Sequence, residues 1–169
     1  MSDGTLLRAV RHNCWANVAL ISFCSGLSPE QLAWTVPGTY GSIHATLEHI
    51  VGAEQGYLRH LTGELPPRGP FAPGQPLVPL DELRERALTS AERIERYIAS
   101  GDDPSRRIQW KGETFTVGVV AAQFIHHGSD HRAHIGTILG AHGISGPELD
   151  LDVWMYGLTI GELVVPTQR

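Results

Sequence analysis

The sequence predicts an all-α protein: a four-helix bundle carrying a small β-hairpin and a short C-terminal helix. Three observations carry that prediction. Apolar residues recur at helical spacing over four long segments. One short stretch alternates apolar and polar residues as a strand does. Prolines fall between the long periodic segments rather than within them.

The first helix is predicted over about 5–26, with Leu7, Val10, Cys14, Ile21 and Cys24 on one face. Asn17 stands at the turn where an apolar residue is missing, and Gly26 is the stop. Ser28-Pro29-Glu30-Gln31 has the form of a capping box with Pro at the first helical position. It predicts a short helical turn through about Trp34, ended by Pro37-Gly38. The second long helix is predicted over 42–62 with two distinct faces. Ile43, Leu47, Ile50, Tyr57 and Leu61 form an ordinary core face. Ala45, His49, Ala53, Gly56 and His60 form a small-residue face that would let a neighbouring helix approach closely. Residues 63–79 are too rich in Pro and Gly for a helix and read as a long crossover.

The third long helix is predicted over 81–100, with Leu83, Ala87, Ala91, Ile94 and Ile98 as its buried stripe. Alternation on both sides of Lys111-Gly112-Glu113 predicts a hairpin over 107–117, too short to found a sheet. The fourth long helix is predicted from Val117 or Gly118 to Ala141. Its stripe is Val117, Val120, Phe124, His127, His131, His134 and Ile138, a heptad-like core seam. A turn with Pro147 and a terminal helix over about 148–161 complete the chain.

Bulk composition narrows the function classes. A length of 169 residues suits one domain spanning 1–169, and 41% hydrophobic with 18% charged residues is globular. A net charge of -5 without any basic stripe argues against nucleic acid as a partner. No apolar run approaches the roughly 20 residues that span a bilayer, so no membrane partner is expected. Met1-Ser2-Asp3-Gly4 lacks a signal pattern, and a cytoplasmic location is the expectation. Cys14 and Cys24, ten residues apart on one helix, stand about 15 Å apart. That is beyond disulfide reach, so they read as small buried hydrophobes in a reducing compartment.

The nine histidines are the unusual feature, four of them within residues 126–134. Burying imidazoles in a core seam costs free energy unless each finds a partner. His127 and His131, four residues apart, lie one above the other on a helix face and can reach one metal ion. His49, on the small-residue face of the second helix, supplies a third ligand from a facing helix. Three histidines leave a coordination position open, as catalytic sites do. His134, one turn beyond His131, is a candidate to line the pocket or support a ligand. Asp130 is a candidate to orient a ligand imidazole. His60 lies about 16 Å along the helix from His49 and is excluded from the site. His126 points to a surface or interface, and His12, His44 and His142 read as solvated. Ser129-Asp130-His131 is no hydrolytic triad, because triad members converge in space rather than adjoin on one helix.

The segments Asn13-Cys14-Trp15-Ala16-Asn17, Gly41-Ser42-Ile43, Leu47-Glu48-His49-Ile50-Val51-Gly52-Ala53-Glu54 and His127 through Gly136 together resemble the DinB/YfiT-like family of metal-binding bundles. The tail from Gly143-Ile144 through Leu149-Asp150-Leu151-Asp152 has the same look. The resemblance implies a bundle with up-down-down-up connections and one divalent ion, zinc or nickel, on His49, His127 and His131. It also implies a homodimer. This chain has His134 where the family usually has Gln, and His126 where it has Asn, so a fourth nitrogen at the metal stays an alternative. Characterised members of the family include transferases using a low-molecular-weight thiol, such as bacillithiol or mycothiol, and a thiol-dependent isomerase. The leading expectation is therefore a metal-dependent thiol S-transferase whose partners are a small-molecule thiol and an electrophile. Its catalytic residues are not assigned. A metal-dependent hydrolase and a non-catalytic metal-binding stress-response protein are the alternatives. Glu48, beside His49, would point off to one side and offers no obvious general base.

Overall fold

The structure is a computed structural model describing residues 4–66, 76–110, 112–145 and 149–163. Its elements are α1 (Thr5–Cys24), α2 (Pro29–Leu32), α3 (Ile43–Thr62), α4 (Leu80–Ala99), β1 (Arg107–Trp110), β2 (Glu113–Thr116), α5 (Val117–Ala141) and α6 (Val153–Thr159). The four long helices form the expected up-down-down-up bundle. They pack in the ring order α1, α4, α3, α5, and the long connection joins α3 to α4.

Local chemistry sets the helix ends. Ser28 caps α2 through the Gln31 N–H, while the Gln31 side chain accepts from the Ser28 N–H, completing the capping box. Ser42 accepts the Ala45 N–H to start α3, and Thr116 accepts the Val119 N–H to start α5. Gly63, at φ 76°, closes α3 in the left-handed conformation that glycine adopts without penalty. The Val78 backbone fixes the far end of the crossover. His44 Nε2 donates to its carbonyl and Glu48 accepts its N–H, each at 2.7 Å. His12 donates to the Leu151 carbonyl at 2.8 Å and so ties the C-terminal segment to α1. His44 and His12 are therefore half-buried structural donors, a correction to their expected solvation. His142 is exposed but stacks on Trp34 at 3.9 Å.

The terminal helix is shorter than expected. Asp152 caps it by accepting the Met155 N–H, so it starts at Val153, and the segment before it serves as the partner of His12. Pro147 and Glu148 lie outside the described residues, as does Lys111 at the hairpin turn. The hairpin pairs Ile108 with Phe115 and Trp110 with Glu113. Arg106 anchors its base, donating to the Leu61 carbonyl at 3.1 Å and to Asp102 and Tyr97.

Two apolar clusters fill the bundle. One centres on Ile21, Ile43, Leu47, Leu83 and Ile138, the other on Val10, Leu58, Ile94 and Phe124. Between them lies a buried polar network that spans the bundle diagonally. Asn13 and Asn17 of α1 each donate to Glu54 Oε1 of α3, at 2.8 and 2.6 Å. Arg132 Nη1 of α5 donates to both asparagine oxygens, at 2.7 and 2.6 Å. The two amides thus relay a guanidinium to a carboxyl. Asn13, Asn17 and Glu54 are at most 2% exposed. The missing apolar residue at Asn17 is explained by this network.

Among the helical glycines, the tight contact is on α5 rather than α3. A Cβ built on Gly128 would sit 2.4 Å from Asn13 Oδ1, whereas one on Gly56 meets nothing within 4 Å. The close approach expected on the small-residue face of α3 is therefore absent at Gly56. A Gly-to-Ala change inside a helix ordinarily gains about 0.5–1 kcal/mol from backbone entropy. Gly136→Ala, with open space around it, should show that gain in urea unfolding. Gly128→Ala should instead lose about 1–3 kcal/mol through overpacking against Asn13. Equal effects at the two positions would contradict the packing described. Glu54→Ala, which strands the buried partners, should cost about 3–5 kcal/mol.

Candidate metal centre

His49 projects from the middle of α3, and His127 and His131 from successive turns of α5. The α3–α5 packing brings them together. One ring nitrogen of each lies within 4.8 Å of the others, the metal-competent cluster found among the described residues. His127 Nε2 and His49 Nε2 face each other at 2.9 Å. The ring centroids of the three lie 4.4–4.8 Å apart. Ligand nitrogens around a tetrahedral ion with bonds of about 2.0–2.1 Å stand roughly 3.3 Å apart, so the spacing suits a small divalent cation.

Partnering supports the same conclusion. The Nδ1 atoms of His127, His131 and His134 are buried and have no hydrogen-bond partner. A stranded buried polar atom costs about 1–3 kcal/mol, and crowding three imidazoles adds repulsion on protonation. The residues fit a bound cation, which would take the facing Nε2 atoms of His49 and His127 and leave the ring Nδ1 atoms as N–H donors.

The charged imidazolium is disfavoured throughout. Burial lowers His49. Burial, then the charges of His131 and His49, push His127 down to about 4, with Asp130 opposing. Burial, then His49 and His134, lower His131, again against Asp130. Neutral imidazole is the form a metal needs.

The histidines do not occupy the centre of the core, as the continuous seam suggested. Phe124, Gly128, Ile135, Ile138 and Leu139 are the buried positions of this face, and His127, His131 and His134 are half-buried beside them. They line the flank of the bundle, where an exchangeable ligand has access. His134 lies next to His131, centroids 5.2 Å apart, but outside the set of three. Asp130 is exposed and acts on His127 and His131 through its charge. His60 stands apart, 4.7 Å from Trp110, and His126 is exposed.

Two aromatic neighbours escaped the sequence reading. Tyr40, from the loop before α3, stacks on His49 at 4.0 Å and meets His131 edge-on at 5.0 Å. No periodicity marks a loop residue, so nothing in the pattern singles it out. Tyr57, expected in the core, is half-buried with its ring 5.7 Å from His127. Its place on the core stripe and its place at the site differ by a small rotation of α3, which helical spacing does not resolve. Arg132, adjacent to His131 in sequence, turns away into the asparagine network.

An imidazole whose folded value is depressed binds fewer protons than in the unfolded chain. Its stabilising contribution is whole above about pH 6.5 and is lost as pH falls through the folded value. In metal-free protein the His127 ring proton, followed by NMR, should therefore titrate near pH 4. A normal midpoint near 6.5 would contradict the burial and crowding described.

The fold agrees with the comparison to known families. A model of the DinB superfamily matches residues 15–135. No curated protein matches the chain. The family match covers more than half of the chain and includes His49, His127 and His131, and the chain belongs to the DinB superfamily.

Proposed function

We propose that this protein holds one divalent ion, zinc or nickel, on His49, His127 and His131 and transfers a low-molecular-weight thiol to an electrophile. The observation that carries the reading is the convergence of three neutral, half-buried imidazoles beside an accessible flank. When bound, such an ion supplies Lewis acidity that favours the thiolate form of a thiol. The chain's own residues do the rest. Tyr40 stacks on His49 and limits its rotation while partly covering the site. Desolvation keeps the imidazoles unprotonated near neutral pH. His134 lines the site next to His131.

The hydrolase alternative needs a general base, and both carboxylates of α3 near His49 in sequence are otherwise engaged, leaving the exposed Asp130 of α5 as its candidate. Glu48 accepts the Val78 N–H, and Glu54 is bonded to Asn13 and Asn17. A thiolate needs no such base. A homodimer and a cytoplasmic setting, where low-molecular-weight thiols are abundant and reduced, complete the proposal.

Metal affinity tests the site. Titration calorimetry with zinc and with nickel should give about one ion per chain, weakening on acidification as protons compete for the imidazoles. His49→Ala, His127→Ala and His131→Ala should each lose more affinity than the roughly 10–100-fold expected for a supporting residue. His134→Ala should fall within that range, and His142→Ala should not change affinity. Full metal binding by folded His49→Ala would sink the three-histidine assignment. The reaction is tested by following thiol consumption across a panel of low-molecular-weight thiols and electrophiles with metal-loaded protein. Turnover should be lost in His131→Ala. Ester or amide hydrolysis without thiol consumption would favour the hydrolase instead.

A further inference from the structure

A second concavity opens one helical turn from the histidines. It lies between α3, α5 and the hairpin and has a volume of about 290 Å³. Ile108 and Val120 form its floor, at 7% and 8% exposure. Phe115 and Trp110 of the hairpin wall it, with their ring centroids 6.1 Å apart. Tyr57, Gln123 and His60 supply its polar groups.

Tyr57 joins this cavity to the metal centre. The edge of its ring meets His127 at 5.7 Å, and its hydroxyl accepts the Gln123 amide proton at 3.3 Å. The hydroxyl therefore keeps its own proton to donate elsewhere. Gln123 lies four residues before His127 on α5, so Tyr57 and Gln123 mark the end of the cavity nearer the histidines, while His60 lies beside Trp110 with ring centroids 4.7 Å apart. None of the described lining residues is Lys, Arg, Asp or Glu. A charged ligand would lose its hydration with only the His60 imidazole to offset it, whereas a neutral ring gains stacking and apolar contact. A cavity of about 150 Å³ suffices for benzene, so this one has room for a single substituted ring and not for a large polycycle. Trp110, at 41% exposure, leaves an apolar rim open to solvent at the mouth.

We propose that this hairpin cavity binds a neutral, single-ring aromatic compound with one hydrogen-bond acceptor directed at the Tyr57 hydroxyl. Its assignment as the electrophile of thiol transfer rests on the metal-thiol reading above; the binding itself does not. The hairpin then has a purpose that the bundle alone does not give it. Arg106 clamps its base to the Leu61 carbonyl, which holds Trp110 and Phe115 over the gap between α3 and α5.

Acetophenone is a suitable probe, with ethylbenzene lacking the acceptor and benzoate carrying a charge. Binding to the full chain is followed by ligand-observed NMR, with and without zinc. Acetophenone should bind, and benzoate should bind more weakly. Trp110→Ala and Phe115→Ala should weaken acetophenone by about tenfold. Tyr57→Phe should weaken acetophenone by about 2–10-fold and leave ethylbenzene unchanged. Should Phe115→Ala misfold, Val119→Trp fills the mouth from a position that is 54% exposed and should abolish binding in a folded protein. No acetophenone binding, or binding indifferent to both Trp110→Ala and Val119→Trp, overturns the proposal. The metal reading fails separately. His49→Ala should lose zinc yet keep acetophenone, because none of the cavity walls is a metal ligand. Acetophenone binding with this variant pattern in a protein that takes up no metal would leave the cavity standing and remove its role in thiol transfer.

Discussion

The relay from Arg132 through Asn13 and Asn17 to Glu54 is the constraint on which the rest of the structure depends. Apolar packing is tolerant of small slides, because dispersion and burial have little directionality. Hydrogen bonds between groups buried to 2% exposure or less are not, since a displaced donor or acceptor has no water to replace a lost partner. The relay joins α1, α3 and α5 at one level of the bundle and crosses the α1–α3 diagonal, which apolar side chains alone would leave free to slip. Burial raises the Glu54 carboxyl to about 8, with Asn13, Arg132 and Asn17 pulling it back. Burial likewise lowers Arg132, with Glu54 opposing. Such a cost is a poor way to gain stability and a good way to fix register.

Register is what the metal centre needs. Arg132 follows His131 directly, Gly128 follows His127 directly, and Glu54 lies five residues beyond His49. Fixing the relay therefore fixes the relative height of the three imidazoles. Gly128 is the point where this demand meets packing, because any side chain there would strike the Asn13 amide. The sequence accepts the weaker helix propensity of glycine at that turn in exchange for the relay.

The histidines sit where two environments meet. One side is the dry interior of the bundle, which strips their charge. The other is an accessible flank bounded by Tyr40 and Tyr57. A site deeper in the core would hold a cation but exclude reactants. A fully exposed site would keep its imidazoles solvated, and ion binding would have to compete with water and protons. The half-buried position satisfies both requirements, and the apolar hairpin cavity lies beyond Tyr57.

The sequence by itself determined the helices, the hairpin and the family. Period and punctuation are local properties, so Ser28, Ser42 and Gly63 announce their helix ends without tertiary information. The spacing of His127 and His131 likewise follows from helix geometry alone. Only the tertiary structure decided what those residues face. It placed the histidines at the flank of the core rather than its centre, made Tyr57 both a partner of the core and a neighbour of His127, and gave His12 and His44 structural partners. It also revealed the relay, whose members are scattered from Asn13 to Arg132 and share no local pattern. The physical reason is rotation about the helix axis. Periodicity fixes which residues share a face, but long-range packing and buried hydrogen bonds fix the direction in which that face points.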